Sequence, residues 1–313
     1  MRFRSAACMI LAMAAFGLRA GEEIDPYDQS IVPLEQDSTD PNLAKIVMVP
    51  GVKSHGPNDH EYFAGLLMLS DMLKQTPGVT TVMTKDGWPK NEKVFEGAKA
   101  IVFFSDGRGG HPLAKPGRLD VLQKQIDAKA GFVCLHYAVD YNKAEGERVI
   151  KWLGGFYDVA ISTNPFWVAD YKTLPEHPIT NGVKPFSFRD EWYYNMRFVP
   201  DMKNVTVILK AVPPDNTRGT ADAKSHPGRE EVTAWAYERE DGGRSFGFTG
   251  GHSHKFWAND DYRRIVVNGI LWSAKIEVPK TGAKCDLINP LDRALDWKGK
   301  GPKPEGKKAP ETK

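Results

Sequence analysis

Only three cysteines occur in 313 residues, and one of them, Cys8, sits in an apolar N-terminal stretch. Cys134 and Cys285 are the two beyond it, which excludes a disulfide framework and leaves one bridge as the most that thiols could add. An excess of either charge is also lacking, since 42 Lys and Arg oppose 40 Asp and Glu. That balance removes the electrostatic pull on which nucleic-acid binding depends. Apart from Ala6 to Leu18, no apolar run approaches the roughly 20 residues of a membrane span. There is no internal repeat, no Gly-Lys-Ser/Thr phosphate loop, and no dinucleotide fingerprint after any strand-like run, which speaks against a nucleotide-dependent oxidoreductase.

What is present begins with an export signal over residues 1–20. Arg2 and Arg4 precede an apolar stretch of about 13 residues, and Arg19-Ala20 stand before the acidic Gly21-Glu22-Glu23. Cleavage there removes three positive charges and turns the formal +2 into −1. The mature chain is therefore expected to be secreted or periplasmic, with no transmembrane segment. Residues 21–43 are polar and aperiodic and read as a leader. Residues 280–313 close on KGKGPKPEGKKAPETK, whose six lysines and two glutamates read as a basic disordered tail.

The stretch 44–279 reads as one α/β domain. Seven strand-like runs start near Lys45, Thr80, Ala100, Gly131, Val205, Val232 and Ser245, several of them nearly continuous in apolar residues, as strands covered on both faces are. Helical spacing of apolar residues occupies His60 to Gln75, a segment around Leu119, Leu122 and Ile126, and Asp260 to Ala274. Alternation of the two predicts a mostly parallel open sheet flanked by helices. Trp152 to Pro200, rich in aromatics, Pro and Gly, reads as a loop-rich insertion.

Histidines follow the strands, where open α/β sheets bind ligands. The first loop carries His55, Asp59, His60 and Glu61, the two acids suiting either helix capping or a site. A Gly-rich loop offers Asp106, Arg108 and His111, and Cys134 and His136 share a face of the central strand. After the last strand come His252, His254 and Trp257, while Asp190, Glu191, Trp192, Tyr193 and Tyr194 cluster in the insertion. Acids beside aromatics suit sugar binding, by stacking of Trp192 and Trp257 and by polar contacts from Tyr193, Asp106, His254 and His55.

The segments HEYFAG, GFVCLHYAV, EHPITNGV with DEWYYNMRF, and TGGHSHKFWANDDYRRIVVNGILW together resemble the ThuA-like (trehalose utilisation) family, over roughly Lys45 to Pro279. Its fold is similar to that of class I glutamine amidotransferases and is flavodoxin-like. Where those amidotransferases keep a nucleophilic cysteine, this chain has His136; Cys134 lies within the strand, so a Cys-dependent glutaminase is not expected. The resemblance implies action in sugar metabolism, on glycosides or 3-keto-glucosides, and carries over to His60, His136, Glu191 and His252. The resulting expectation is an exported enzyme that hydrolyses or isomerises a glycoside or 3-keto-sugar, with a small-molecule or oligosaccharide substrate. Either His/Glu acid-base chemistry or a divalent metal on His60, His136 and His252 would serve, and zinc suits that ligand type better than calcium or magnesium. The competing expectation is a non-catalytic carbohydrate-binding or scaffold protein of the same fold.

Overall fold

A computed structural model describes residues 32–287; the expected signal, the start of the leader and the lysine-rich end of the tail lie outside the described residues. Elements follow in the order β1 (Ala44–Pro50), α1 (Tyr62–Leu73), β2 (Val79–Met83), β3 (Ala100–Phe104), α2 (Arg118–Asp127), β4 (Gly131–Leu135) and α3 (Lys143–Leu153). The insertion gives β5 (Gly155–Phe156), β6 (Trp167–Tyr171), β7 (Phe186–Asp190) and β8 (Arg197–Phe198). β9 (Val205–Ala211), α4 (Ala221–Lys224), β10 (Glu231–Glu238), β11 (Arg244–Phe248) and α5 (Asp260–Ser273) complete the chain.

Seven strands form one sheet in the order β2-β1-β3-β4-β11-β10-β9. β2, β1, β3, β4 and β11 run parallel in the 2-1-3-4-5 order of flavodoxin-like sheets, and β10 is antiparallel to both its neighbours. All seven are the strand-like runs of the sequence. Strand alternation sorts the core onto two faces. Ile46 and Met48 meet α1 and α5 on one side, whereas Val47 and Val49 meet Leu122 of α2 and Val149, Trp152 and Leu153 of α3 on the other. α1 is buried almost all round because it is apolar all round. α5 starts where Asn259 Oδ1 accepts from Tyr262 N at 2.9 Å, with Asp260 and Asp261 in its first turn.

Two expectations need correction, and one helix, α3, carries no expectation at all: its apolar stripe is short and ends on Gly154 in a left-handed C-cap with φ +81°. The insertion is not loop throughout: β6 and β7 pair as an antiparallel hairpin, and WVADY alternates buried and exposed residues, a period of two inside the aromatic stretch. Trp167 and Tyr171 thereby join the α1/α5 core. The tail does not begin at 280, since Ala283 and Cys285 are buried, Ala283 N donates to Asn268 Oδ1, and Arg263 Nε donates to the Cys285 carbonyl. The leader lies on the domain at its inner end, where Glu35 N donates to the Met83 carbonyl at 2.8 Å. Cys134 and Cys285 are both free and buried. No helix among the described residues is long and apolar enough to cross a membrane.

Candidate active site

The carboxyl ends of β1, β3, β4 and β11 are adjacent in the sheet, so the loops leaving them converge. The loop after β1 brings His55 and His60, that after β3 brings Asp106 and Arg108, β4 runs into His136, and β11 into His252. The hairpin hands over Glu191, one residue past the end of β7. His60 and His136 adopt left-handed φ values of 51° and 53°. For an L-residue that conformation costs roughly 1–2 kcal/mol, and such strain gathers at sites where the surroundings dictate a side-chain direction. At His136 the strand must break sharply to aim the ring across the sheet end.

The rings aim at one another. His60 Nε2 lies 3.1 Å from His136 Nε2 and 3.1 Å from His252 Nδ1, and Glu191 Oε2 lies 2.8 Å from His252 Nδ1 and 3.5 Å from His136 Nε2. The outward nitrogens decide the tautomers. His136 Nδ1, 2.9 Å from the Thr249 carbonyl, can only donate to it. Tyr62 donates its hydroxyl to Asp106 Oδ1 at 2.6 Å, so its oxygen accepts from His60 Nδ1 at 2.7 Å. His252 Nε2 faces Asp59 Oδ1 at 3.6 Å. With only the outer positions protonated, three ring lone pairs and a carboxylate oxygen face one point, an arrangement that repels itself unless a cation or a further proton sits there. Tetrahedral zinc ligands at about 2.0–2.1 Å stand roughly 3.3–3.4 Å apart, close to these separations. His136 is backed by the Thr249 carbonyl, His252 by Asp59, and His60 by Asp106 through the Tyr62 hydroxyl, outer partners of the kind metal-binding histidines use.

In the metal-free arrangement a proton takes the cation's place, on His252 Nδ1 facing Glu191 Oε2. Burial pushes His60 down to about 3. Burial also opposes charge on His252, but Asp59 and Glu191 outweigh it and lift that imidazole to about 9. Glu191, although buried, is held well below the usual carboxylate range by His136 and His252. The cluster therefore retains positive charge beside Glu191.

The trehalose-utilisation family profile, ThuA, matches residues 51–273, well over half of the chain. The chain belongs to the ThuA family. It is similar to the crystal structure of a ThuA-like protein from Bacteroides uniformis at 16% identity and a TM-score of 0.53, covering 76% of this chain and 94% of that one. A ThuA-like protein from Parabacteroides merdae superposes with a TM-score of 0.50 at 14% identity, over 80% and 98% of the two chains. At such identity these likenesses establish the fold. No curated protein sequence matches significantly. ThuA membership gives this chain a role in carbohydrate metabolism.

Beside the four donors this ThuA chain has a cleft of about 200 Å³, lined by His55, His60, Arg108, Tyr137, Asp140, Tyr157, Asn164, Glu191 and Tyr193. Tyr193 packs on His136 with ring centroids 4.8 Å apart, and His55 lies on His60 at 3.6 Å, so both lie against the donor cluster. Asp106 backs His60, as described.

The two tryptophans do not fit sugar stacking. Trp192 and Trp257 are fully buried among Phe248, Phe104 and Tyr262, because their positions face the core. His254 is likewise buried at 3% exposure and does not line this cleft. His111 is structural, its Nδ1 accepting from Leu113 N between Phe103 and Tyr141. The exposed aromatic at the rim is Phe166, edge to face with His252 at 4.8 Å and unmarked in the sequence. Asp140, Tyr137, Tyr157 and Asn164 were also missed. Only adjacency to His136 could have signalled Tyr137 and Asp140. Asp190, fully buried, accepts from Gly251 N, His252 N and the Tyr262 hydroxyl, and so fixes the loop that carries His252.

Proposed function

We propose that this ThuA protein is an exported, divalent-metal enzyme of carbohydrate breakdown that hydrolyses or isomerises a glycoside or 3-keto-sugar. The observation that carries the reading is the convergence of His60 Nε2, His136 Nε2, His252 Nδ1 and Glu191 Oε2, four donor atoms within 4.8 Å of one another. Three imidazoles and one carboxylate suit zinc over calcium or magnesium. A cation held by the three imidazoles would keep a fourth position for a carbonyl oxygen or a water, which it would polarise or acidify, with Glu191 beside it to take a proton.

The remaining work falls to the chain's own side chains. Ser54 Oγ donates to Asp106 at 2.6 Å and therefore accepts from His55 Nδ1 at 2.8 Å, which leaves His55 Nε2 a proton acceptor at the cleft wall. Tyr137, Tyr157 and Asn164 supply hydroxyl and amide partners for a polyhydroxy ligand. The cleft is smaller than the roughly 300–1,000 Å³ of drug-sized pockets, which suits one sugar ring. Export rests on the N-terminal sequence alone.

The test is elemental analysis of the purified protein beside a turnover screen on glucosides and their 3-keto forms, with and without chelator. Stoichiometric zinc and chelator-sensitive turnover are expected. Absence of stoichiometric metal would overturn the metal reading, and a metal-loaded protein that binds sugars without converting any would be a carbohydrate-binding protein instead.

A further inference from the structure

The cleft contains an ion pair that the four-donor cluster does not use. Arg108 Nε donates to both oxygens of Asp140, at 3.1 and 2.9 Å, and its Nη2 stands 2.9 Å from Oδ2. The backbone repeats the contact, Arg108 N donating to the Asp140 carbonyl at 2.8 Å. Arg108 takes a left-handed φ of 48°, and the residue before it, Gly107, is pressed so closely on Asp140 and the Tyr137 carbonyl that a Cβ there would come within 2.7 Å of each. The loop after β3 is thus clamped onto the turn after β4. The Asp140 side chain is only 2% exposed, while that of Arg108 is 40% exposed. Nη1 makes no hydrogen bond among the described residues and so remains a donor for a ligand.

We propose that Arg108 and Asp140 form the specificity element of the cleft, Arg108 donating from Nη1 to a hydroxyl of a neutral sugar and Asp140 holding the guanidinium in place. The assignment rests on the metal-site reading of the adjacent donors and narrows its substrate class. The pair is electrically neutral, so it offers a donor without attracting net charge. Beside it Asp106 and Glu191 balance a bound divalent cation, so the cleft carries no net charge to draw in an anion. A sugar phosphate or uronate would lose its hydration there without a counter-charge, whereas a neutral ring has no charge to desolvate. Phenols on the wall, Tyr137 and Tyr157, can bond either hydroxyl partner role.

The experiment measures metal content, thermal stability and saccharide binding for the full chain and for Arg108→Gln, Arg108→Lys and Asp140→Asn. Methyl β-glucoside is the neutral probe; glucuronate and glucose 6-phosphate are the anionic ones. The wild type should prefer the neutral probe. Arg108→Gln and Asp140→Asn should bind it about tenfold to a hundredfold more weakly, the usual effect of losing a charged hydrogen bond, at unchanged metal content. Arg108→Lys, which keeps charge but loses the fork, should recover only part of the affinity. A pair that merely pins two loops would lower thermal stability and leave saccharide affinity unchanged, which would overturn the proposal. Preference for an anionic probe in metal-loaded protein would overturn it while sparing the metal reading; absence of metal together with absence of saccharide binding would remove both.

Discussion

Nε2 of His60 and Nε2 of His136 stand 3.1 Å apart, and each ring commits its Nδ1 proton to an outward acceptor. Two lone pairs at that separation make no hydrogen bond. The contact becomes favourable when a cation lies between them, and this makes the hydrogen bonds behind the rings as consequential as the rings themselves.

Asp106 receives hydroxyl protons from Ser54 and Tyr62 and faces His60 Nδ1 at 3.4 Å, so it sets the His60 tautomer from a distance. Asp106→Asn is expected to weaken metal affinity by about 10–100-fold, the usual cost of losing an outer partner. Competition with a chromophoric chelator measures it. Equal affinity in variant and wild type would refute the role.

Two histidines outside the site should shape acid stability. Burial holds His111 at about 3, and burial reinforced by Arg244 holds His177 at about 4. Both titrate near 6.5 when unfolded. Because the folded values are depressed, the stability they confer is complete above about pH 6.5 and is lost as pH falls toward 3–4. Asp140, which burial lifts to about 6 against the pull of Arg108, runs the other way. The diagnostic is therefore a comparison: His111→Gln should lose less stability than wild type between pH 7 and pH 4.5 in urea unfolding. Parallel losses would contradict it.

Phe166 is 39% exposed and stands edge-on to His252, with Arg189 over its ring at 5.0 Å. It is placed to meet a second ring of a substrate that fills the cleft with its first. Phe166→Ala should weaken binding of disaccharides or aryl glucosides about two- to tenfold, in line with an aromatic contact of about 0.5–1.5 kcal/mol, and leave monosaccharide binding intact. Calorimetric titration with both ligand classes separates the two; equal weakening of both would exclude a selective role.

Cys134 lies inside β4 at no exposure, its thiol pushed up to about 12 by burial against a modest pull from Tyr141. Iodoacetamide applied to the folded protein should leave turnover unchanged. Inactivation traced by peptide mapping to Cys134 would restore thiol chemistry to consideration.

The sheet was legible because strands covered on both faces must be apolar throughout, as Ile46 to Val49 and Val102 to Phe104 are. His60, His136 and His252 could be picked out because each follows a strand whose end faces the same crevice. Residue type misled where it stood in for direction. Trp192 looked like a stacking surface, yet only pairing of β6 with β7 determines that it points inward, and that pairing joins residues about 20 apart. Asp140 was invisible for a related reason: its meaning comes from Arg108, which the sequence sets 32 residues away.

The same separation governs how the protein matures. His60 and His252 meet across 192 residues, and Asp190 holds the second of them in place from a third segment of the chain. No fragment ending before β11 contains all four donors, so the proposed metal would be captured late, by a completed domain. Metal occupancy in a preparation would then count correctly finished molecules.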